Sequence, residues 1–306
     1  MAARSERVLV TGGSGFTGRP LGERLRQDGH EVVSLSHEAD DTGSLIVDLC
    51  NLDALTEALS RVRPNAVVHL AGIATTTYSD VGKIYSTNVV GTANLFAALS
   101  SAKIEPRIVV VASSAQIYAV PNTDAPLTED SPVAPKTHYA VSKRTTEDIA
   151  RIYSHRFPVI VTRSFNYTGP GQSSAFLVPK IVRHYAEGES EMRLGNLDVF
   201  RDFSDIRRVV TAYSQLVSKT IGATTVNICS GWAIHLCDIP KIMADISGHS
   251  LKIVTDTALL RRDKPRIIVG SPARLESLVG PLPNSEFRET PLHIYEACRK
   301  QTSVAR

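Results

Sequence analysis

The chain has 306 residues, 42% hydrophobic and 21% charged, enough apolar side chains for one large α/β unit or about two domains. Its 34 Lys and Arg balance 31 Asp and Glu to leave a net charge of +3, which argues against nucleic acid or an anionic membrane as the main partner. No apolar run approaches the roughly 20 residues that cross a bilayer, the opening MAARSERVLV leads into a strand and not a signal-type apolar stretch, and Cys50, Cys229, Cys237 and Cys298 form no CxxC and have no His at metal-ligand spacing. A reduced, cytoplasmic protein without a metal is expected.

In chain order, β-branched runs recur at Arg7–Thr11, Glu31–Leu35, Ala66–Leu70, Arg107–Ala112 and Pro158–Thr162. They are continuously apolar, the pattern of a parallel sheet covered on both faces. Helical spacing fills the gaps at Gly18–Gln27, with Gly29 as its left-handed end, at Asp53–Val62, at Asp80–Ser101, and at Tyr139–His155, where Thr137 is placed to cap the first turn. Strand–helix–strand repeats at this spacing predict right-handed βαβ units in a Rossmann-type, doubly wound α/β fold. After Arg163, segments rich in Gly, Pro and Ser interrupt the pattern. A dinucleotide-binding part over 1–165 and a smaller, irregular substrate-binding region over 166–306 are therefore expected, with a late strand at Thr225–Ile228 able to rejoin the main sheet.

Glycines at 12, 15 and 18, with Phe16 and Thr17 between the last two, follow the first strand and open the first helix. A tight turn, close approach of backbone to a pyrophosphate and free N–H groups at a helix start all require this arrangement, which points to a dinucleotide. An NAD site usually carries a carboxylate at the end of the second strand; here Ser36 and His37 stand there. A hydroxyl and an imidazole can donate to a 2′-phosphate, which favours NADP(H) and leaves NAD(H) open. Asp48 and Leu49 are placed either to reach the adenine edge or to cap the next helix.

Tyr139 and Lys143, four residues apart, share one helix face. An ammonium beside a phenol favours the phenolate, so Tyr139 can exchange a proton near neutrality. Ser114, at the end of the preceding strand, opens onto the ligand crevice of such a sheet and can hold the same oxygen.

Together these features resemble the extended short-chain dehydrogenase/reductases that act on nucleotide sugars, over essentially the whole chain. His69–Gly72 (HLAG), contributing Leu70, Ala71 and Gly72, and Asn88–Thr92 (NVVGT), contributing Asn88, resemble the cofactor-side motifs of that family. Tyr139, Lys143 and Ser114 fill its three catalytic positions. Arg163–Gln172 (RSFNYTGPGQ), Gly195–Asp198 (GNLD) and Arg201–Phe203 (RDF) are similar to members handling GDP-linked sugars. The resemblance implies that Asn166 contacts substrate and that Arg201 and Arg261 hold its diphosphate. It also implies a homodimer paired through Asp80–Ser101 and Tyr139–His155. Gln116 stands where sugar-nucleotide dehydratases carry the glutamate that removes a proton from C5. An amide cannot be that base, so Gln116 is expected beside substrate in a different role, and the dehydratase reading falls. Ala119 and His138 replace a usual glycine and proline. The implied activity is NADPH-dependent reduction of a nucleotide-linked 4-keto-6-deoxy sugar, such as GDP-4-keto-6-deoxymannose. A 4-epimerase with tightly bound NAD and a non-catalytic dinucleotide-binding regulator stand as alternatives. Trp232 and Met243 are expected to be packing residues, and His30, His155, His184, His235 and His249 to have core or surface roles.

Overall fold

The computed structural model describes residues 5–38, 43–74, 78–119, 123–256 and 265–304, the last four through their backbone alone. Seven parallel strands form the central sheet: β1 (Arg7–Thr11), β2 (Glu31–Ser36), β3 (Leu45–Ile46), β4 (Ala66–His69), β5 (Ile108–Ser114), β6 (Val159–Ser164) and, after an excursion, β10 (Thr224–Ile228). Their order is β10-β6-β5-β4-β1-β2-β3. Chain order therefore reverses between β1 and β4, and the crevice beyond the carboxyl ends of those two strands is where such sheets bind ligands.

The continuous apolar runs are explained by burial on both faces. Val8 and Val10 of β1 point to one side, where they meet Leu21 and Leu25 of α1 (Gly18–Gln27) and Val209, Tyr213 and Leu216 of α7 (Ile206–Ser218). Leu9 points to the other, against Leu55 and Leu59 of α2 (Leu52–Val62), Phe96 and Leu99 of α4 (Gly91–Ser101) and Ala150 of α5 (His138–Tyr153). The expected late strand is β10, and α7 covers the main sheet although it follows residue 166.

Two local expectations change. Asp80–Ser101 is not one helix: α3 (Val81–Tyr85) and α4 are joined by a π turn over Ser86–Val90, closed by Gly91 N–H donating to Ser86 O. Hydroxyls of Thr92 (2.6 Å) and Thr146 (3.1 Å) both donate to Asn88 O, and such competition for a helical carbonyl stabilises the irregular turn. Asn51, and not Asp48, caps α2, accepting from Ala54 N at 3.1 Å, while Asp48 accepts from Cys50 N at 2.8 Å. Gly29 has the expected positive φ of 92°, and Thr137 caps α5 by accepting from Ala140 N at 3.1 Å.

The later part adds β7 (Asn166–Thr168), α6 (Leu177–Glu187), β8 (Glu191–Leu194), β9 (Phe200–Asp205), β11 (Ala233–His235), α8 (Asp238–Ser247), β12 (Lys252–Thr255), β13 (Ile267–Ile268), α9 (Ala273–Val279) and α10 (Glu289–Val304). A small sheet with β9 at its centre carries β11 on one side and β13 on the other, with β7 also paired to β9. Val178, Ile181, Tyr185, Ile239, Met243 and Ile294 build a second core, so Met243 is the packing residue expected. No described helix is long and apolar enough to cross a membrane.

Candidate active site

The turn between β1 and α1 is held by backbone. Gly12 N donates to Leu35 O at 2.8 Å and Gly15 N to Gly12 O at 3.0 Å. Gly12 has φ 70°, and a Cβ on it would meet the backbone of Ala71 at 2.9 Å. On Gly18 a Cβ would lie 2.1 Å from Gly12 O, so only glycine lets the helix start fold against the turn. This cradle, with helix N–H groups facing the crevice, fits a pyrophosphate. Phe16 and Thr17 are pinned by Tyr167: its ring stacks on Phe16 at 5.9 Å, and its hydroxyl shares a 3.0 Å hydrogen bond with Thr17. Gly13, which the spacing did not single out, is equally confined, since its Cβ would lie 2.5 Å from that of Ser34.

At the end of β2, Ser36 is buried; its hydroxyl donates to Ser14 Oγ at 2.9 Å and accepts from Ser14 N at 3.3 Å, so it serves the glycine turn. His37 is exposed beside Glu38, at 3.4 Å. Leu49 is buried against Gly91, and its carbonyl accepts from Asn94 at 2.8 Å.

After β4, Leu70–Gly72 runs beside the glycine turn, Ala71 N donating to Thr11 Oγ1 at 3.2 Å. His69 is buried between Thr11 (2.7 Å) and Thr92 (3.0 Å), and burial, aided by the charge of Lys143, pushes its pKa down to about 3. It is a neutral structural clamp. Asn88, presented by the π turn, accepts from Ile73 N at 2.8 Å and donates to Ser142 Oγ at 3.0 Å. A Cβ on Gly72 would lie 2.8 Å from Asn88 Oδ1 and 3.3 Å from Lys143 Nζ, which brings both cofactor-side motifs to the foot of α5.

Ser114, Tyr139 and Lys143 are all buried at this crevice. Ser114 accepts from Gln116 N at 3.2 Å, and Lys143 donates to Ala112 O at 2.9 Å. Burial pushes the Tyr139 phenol up to about 12, with the Ser114 hydroxyl pulling the other way, and pushes Lys143 down to about 8. Burial thus raises the Tyr139 phenol, where the sequence alone looks to the ammonium of Lys143 to lower it.

The spacing also hid a supporting network. Glu147, one turn beyond Lys143, accepts from Ser113 Oγ at 2.7 Å and from Arg163 Nε and Nη2 at 2.9 and 2.8 Å. Arg163 further donates to Tyr118 OH and Glu129 O, at 3.2 and 2.9 Å. The signal that could have found it is the continued i, i+4 progression Tyr139, Lys143, Glu147.

On the substrate side, Gln116 is exposed and Asn166 donates to Asp202 O at 3.0 Å. Arg201 donates to the carbonyls of Phe200 (2.6 Å) and Arg266 (3.2 Å), and burial lowers its pKa. Arg261 lies outside the described residues. Trp232 is not a core residue: it is 65% exposed, because it stands in the turn before β11 and not on a packed face.

The chain belongs to the NAD dependent epimerase/dehydratase family, which it matches over residues 8–229. It is similar, at 31% identity over 90% of its length and 91% of the relative's, to GDP-6-deoxy-D-talose 4-dehydrogenase of Aggregatibacter actinomycetemcomitans. GDP-6-deoxy-D-mannose reductase of Pseudomonas aeruginosa is 29% identical over 94% of this chain and 95% of its own. Among solved structures, RMD from Pseudomonas aeruginosa complexed with NADPH superposes with a TM-score of 0.87 at 29% identity, covering 98% of this chain and all (100%) of that one.

Proposed function

We propose that the protein is an NADPH-dependent reductase of a nucleotide-linked 4-keto-6-deoxy sugar, GDP-linked by preference. The observation that carries this reading is the meeting of the glycine cradle with buried Ser114, Tyr139 and Lys143 at one crevice. Both curated relatives pair redox chemistry with a GDP-linked 6-deoxy sugar, and the similar RMD structure holds NADPH. Gly12, Gly15, Gly18 and the N–H groups of Phe16 and Thr17 would hold the pyrophosphate, Lys143 the ribose beside it, and exposed His37 a 2′-phosphate; Asp48 and Leu49 would lie towards the adenine. Once bound, the cofactor would supply the hydride that C4 receives.

The chain supplies the rest. Tyr139 gives its proton to the carbonyl oxygen, so ketone, hydride and proton become the secondary alcohol. Ser114 orients that oxygen, and Lys143, cationic at pH 7, stabilises the phenolate left behind. Asn166 and Gln116 face the sugar. Arg201, whose hydrogen bonds among the described residues go to backbone carbonyls and not to a carboxylate, suits a diphosphate. The substrate's nucleotide half provides binding energy remote from the reacting carbon. We also propose a homodimer, supported by apolar exposure of Val81 (38%), Val90 (46%) and Ile152 (65%) on the two helical segments expected to pair.

The test follows NADPH absorbance with freshly made GDP-4-keto-6-deoxymannose, after denaturing a sample of the purified protein to identify any dinucleotide it retains. Substrate-dependent NADPH loss that Tyr139→Phe abolishes is the expected result. Stoichiometric retained NAD without NADPH consumption would instead make the protein an epimerase.

A further inference from the structure

Helix α1 opens with a residue suited to close its own first turn, and the structure uses that residue otherwise. Thr17 stands at the N-cap, where a threonine hydroxyl ordinarily accepts from the N–H of the second or third helical residue. Here the third is Pro20, which has no N–H, and the second, Arg19, gives its N–H to Gly15 O at 3.1 Å. The Thr17 side chain makes no cap bond, and its hydroxyl is shared with Tyr167 OH at 3.0 Å. Phe16 is the apolar residue before the cap, the position whose packing sets the angle at which a chain enters a helix. It stacks on the same tyrosine ring, with centroids 5.9 Å apart and planes 10° from parallel.

Tyr167 is itself held from behind. It is the middle residue of β7, paired with Ser204 of β9, and its carbonyl accepts from Gln172 Nε2 at 3.1 Å. Two residues on, a Cβ on Gly169 would lie 2.4 Å from Ile206 Cγ2, so the end of β7 sits tightly on the start of α7. Burial raises the Tyr167 pKa, so its hydroxyl keeps its proton at neutral pH. The strand that carries Asn166 therefore grips the glycine turn through one side chain, across 150 residues of sequence.

We propose that Tyr167 is a positioning residue for the bound dinucleotide: by engaging the Thr17 hydroxyl and the Phe16 ring it fixes the start of α1, and with it the N–H groups offered to the pyrophosphate. This rests on the dinucleotide reading of the glycine cradle and adds to it a residue from the substrate-side strand. Tyr167 acts through Phe16 and Thr17. Without it both side chains would have to be ordered when the dinucleotide binds, and affinity falls by that cost.

Calorimetric titration of NADPH and of NADH into the full-length protein tests this. One lost hydrogen bond is a factor of about two to twelve, so Tyr167→Phe should raise the Kd of the dinucleotide that binds by that much. Tyr167→Leu, which also removes the stacked ring, should raise it about five- to 150-fold. Thr17→Val should match Tyr167→Phe, and the two together should lose no more than either alone, because they are two sides of one bond. Tyr213→Phe is the control. It removes a comparable buried hydroxyl pair, with Thr162 at 2.9 Å, and should lower the urea midpoint without moving the dinucleotide Kd. A wild-type Kd in Tyr167→Leu, additive losses in Tyr167→Phe and Thr17→Val, or an equal loss in Tyr213→Phe would overturn the positioning role and leave the dinucleotide reading intact. A wild type that binds neither NADPH nor NADH would remove that reading, and the role with it.

Discussion

Removing the guanidinium of Arg163 tests how the site is held together. Arg163 and Glu147 are 6% and 1% exposed, their bidentate contact measures 2.8 Å at its shorter arm, and the Tyr118 ring lies under the guanidinium at 5.0 Å. Burial opposes the charge on Arg163, but the hydrogen bonds and attraction of Glu147 outweigh it and hold the group firmly cationic. Arg163→Met would leave Glu147 with Ser113 Oγ and a distant Arg144, 3.9 Å away, as partners for a carboxylate sealed from water. Breaking one side of a buried pair costs about 3–5 kcal/mol, whereas replacing both sides by apolar groups is close to neutral. Urea unfolding should therefore show the midpoint of Arg163→Met falling by about 1–1.5 M with little change in slope. Glu147→Leu alone should cost a similar amount, and the double variant should recover at least about 2 kcal/mol of the summed losses. The recovered double variant should still have lowered kcat, since the tie between α5 and the end of β5 is gone. A cost below about 1 kcal/mol for Arg163→Met, or a double variant that simply sums the singles, would refute the reasoning.

Lys143 predicts a pH effect on stability. Its folded pKa is about 8 against an ordinary 10.5, so between those values the unfolded chain keeps a proton that the folded chain has released, and stability rises with pH. Tyr139, raised to about 12, contributes stability that is lost only between its ordinary 10.0 and that value, outside the window used. From pH 8 to 10 the unfolding free energy of the wild type should gain about 2 kcal/mol on that of Lys143→Met; a constant difference would show the amine is not desolvated. Gly18→Ala should weaken NADPH binding at least about tenfold, because its Cβ would strike Gly12 O at 2.1 Å, whereas Gly22→Ala meets the flexible end of Arg26 at 3.4 Å and Val32 at an ordinary 3.8 Å and should be neutral or stabilising by up to about 1 kcal/mol. Equal dinucleotide affinity in the two variants would contradict the cradle. Ile152→Glu should convert the sedimenting dimer to monomer at micromolar concentration; a wild type that is already monomeric there would dispose of the dimer.

Most of the main sheet was legible because burial on both faces forces continuous apolar strands, and those runs sit within a residue or two of their observed positions. The glycine turn was legible for a steric reason: nothing larger than hydrogen fits at Gly12 or Gly18. What escaped was whatever depends on contacts between distant segments. The π turn at Ser86–Val90 follows from hydroxyls of Thr92 and Thr146 meeting at Asn88 O, and no local pattern reveals the second of them. Ser36 looked like a phosphate ligand because its partner, Ser14, lies 22 residues earlier in sequence. Trp232 looked like core because composition carries no information on which side of a turn a large side chain falls.

Burial also sets the resting charge of Tyr139 and Lys143 in a way that their identities alone do not. Taking a proton from a sugar hydroxyl needs Tyr139 as phenolate, and with its pKa at about 12 that form costs about 7 kcal/mol at pH 7. Giving a proton to a carbonyl oxygen starts from the form already present. Lys143, at about 8, still carries its charge at pH 7 and can meet the negative charge that proton donation leaves on the phenol. What burial sets is the resting form of the free protein, a protonated phenol beside an amine still charged at pH 7, and the same pair serves either direction of a reversible hydride transfer; the desolvation that sets it also makes Lys143 costly to the fold.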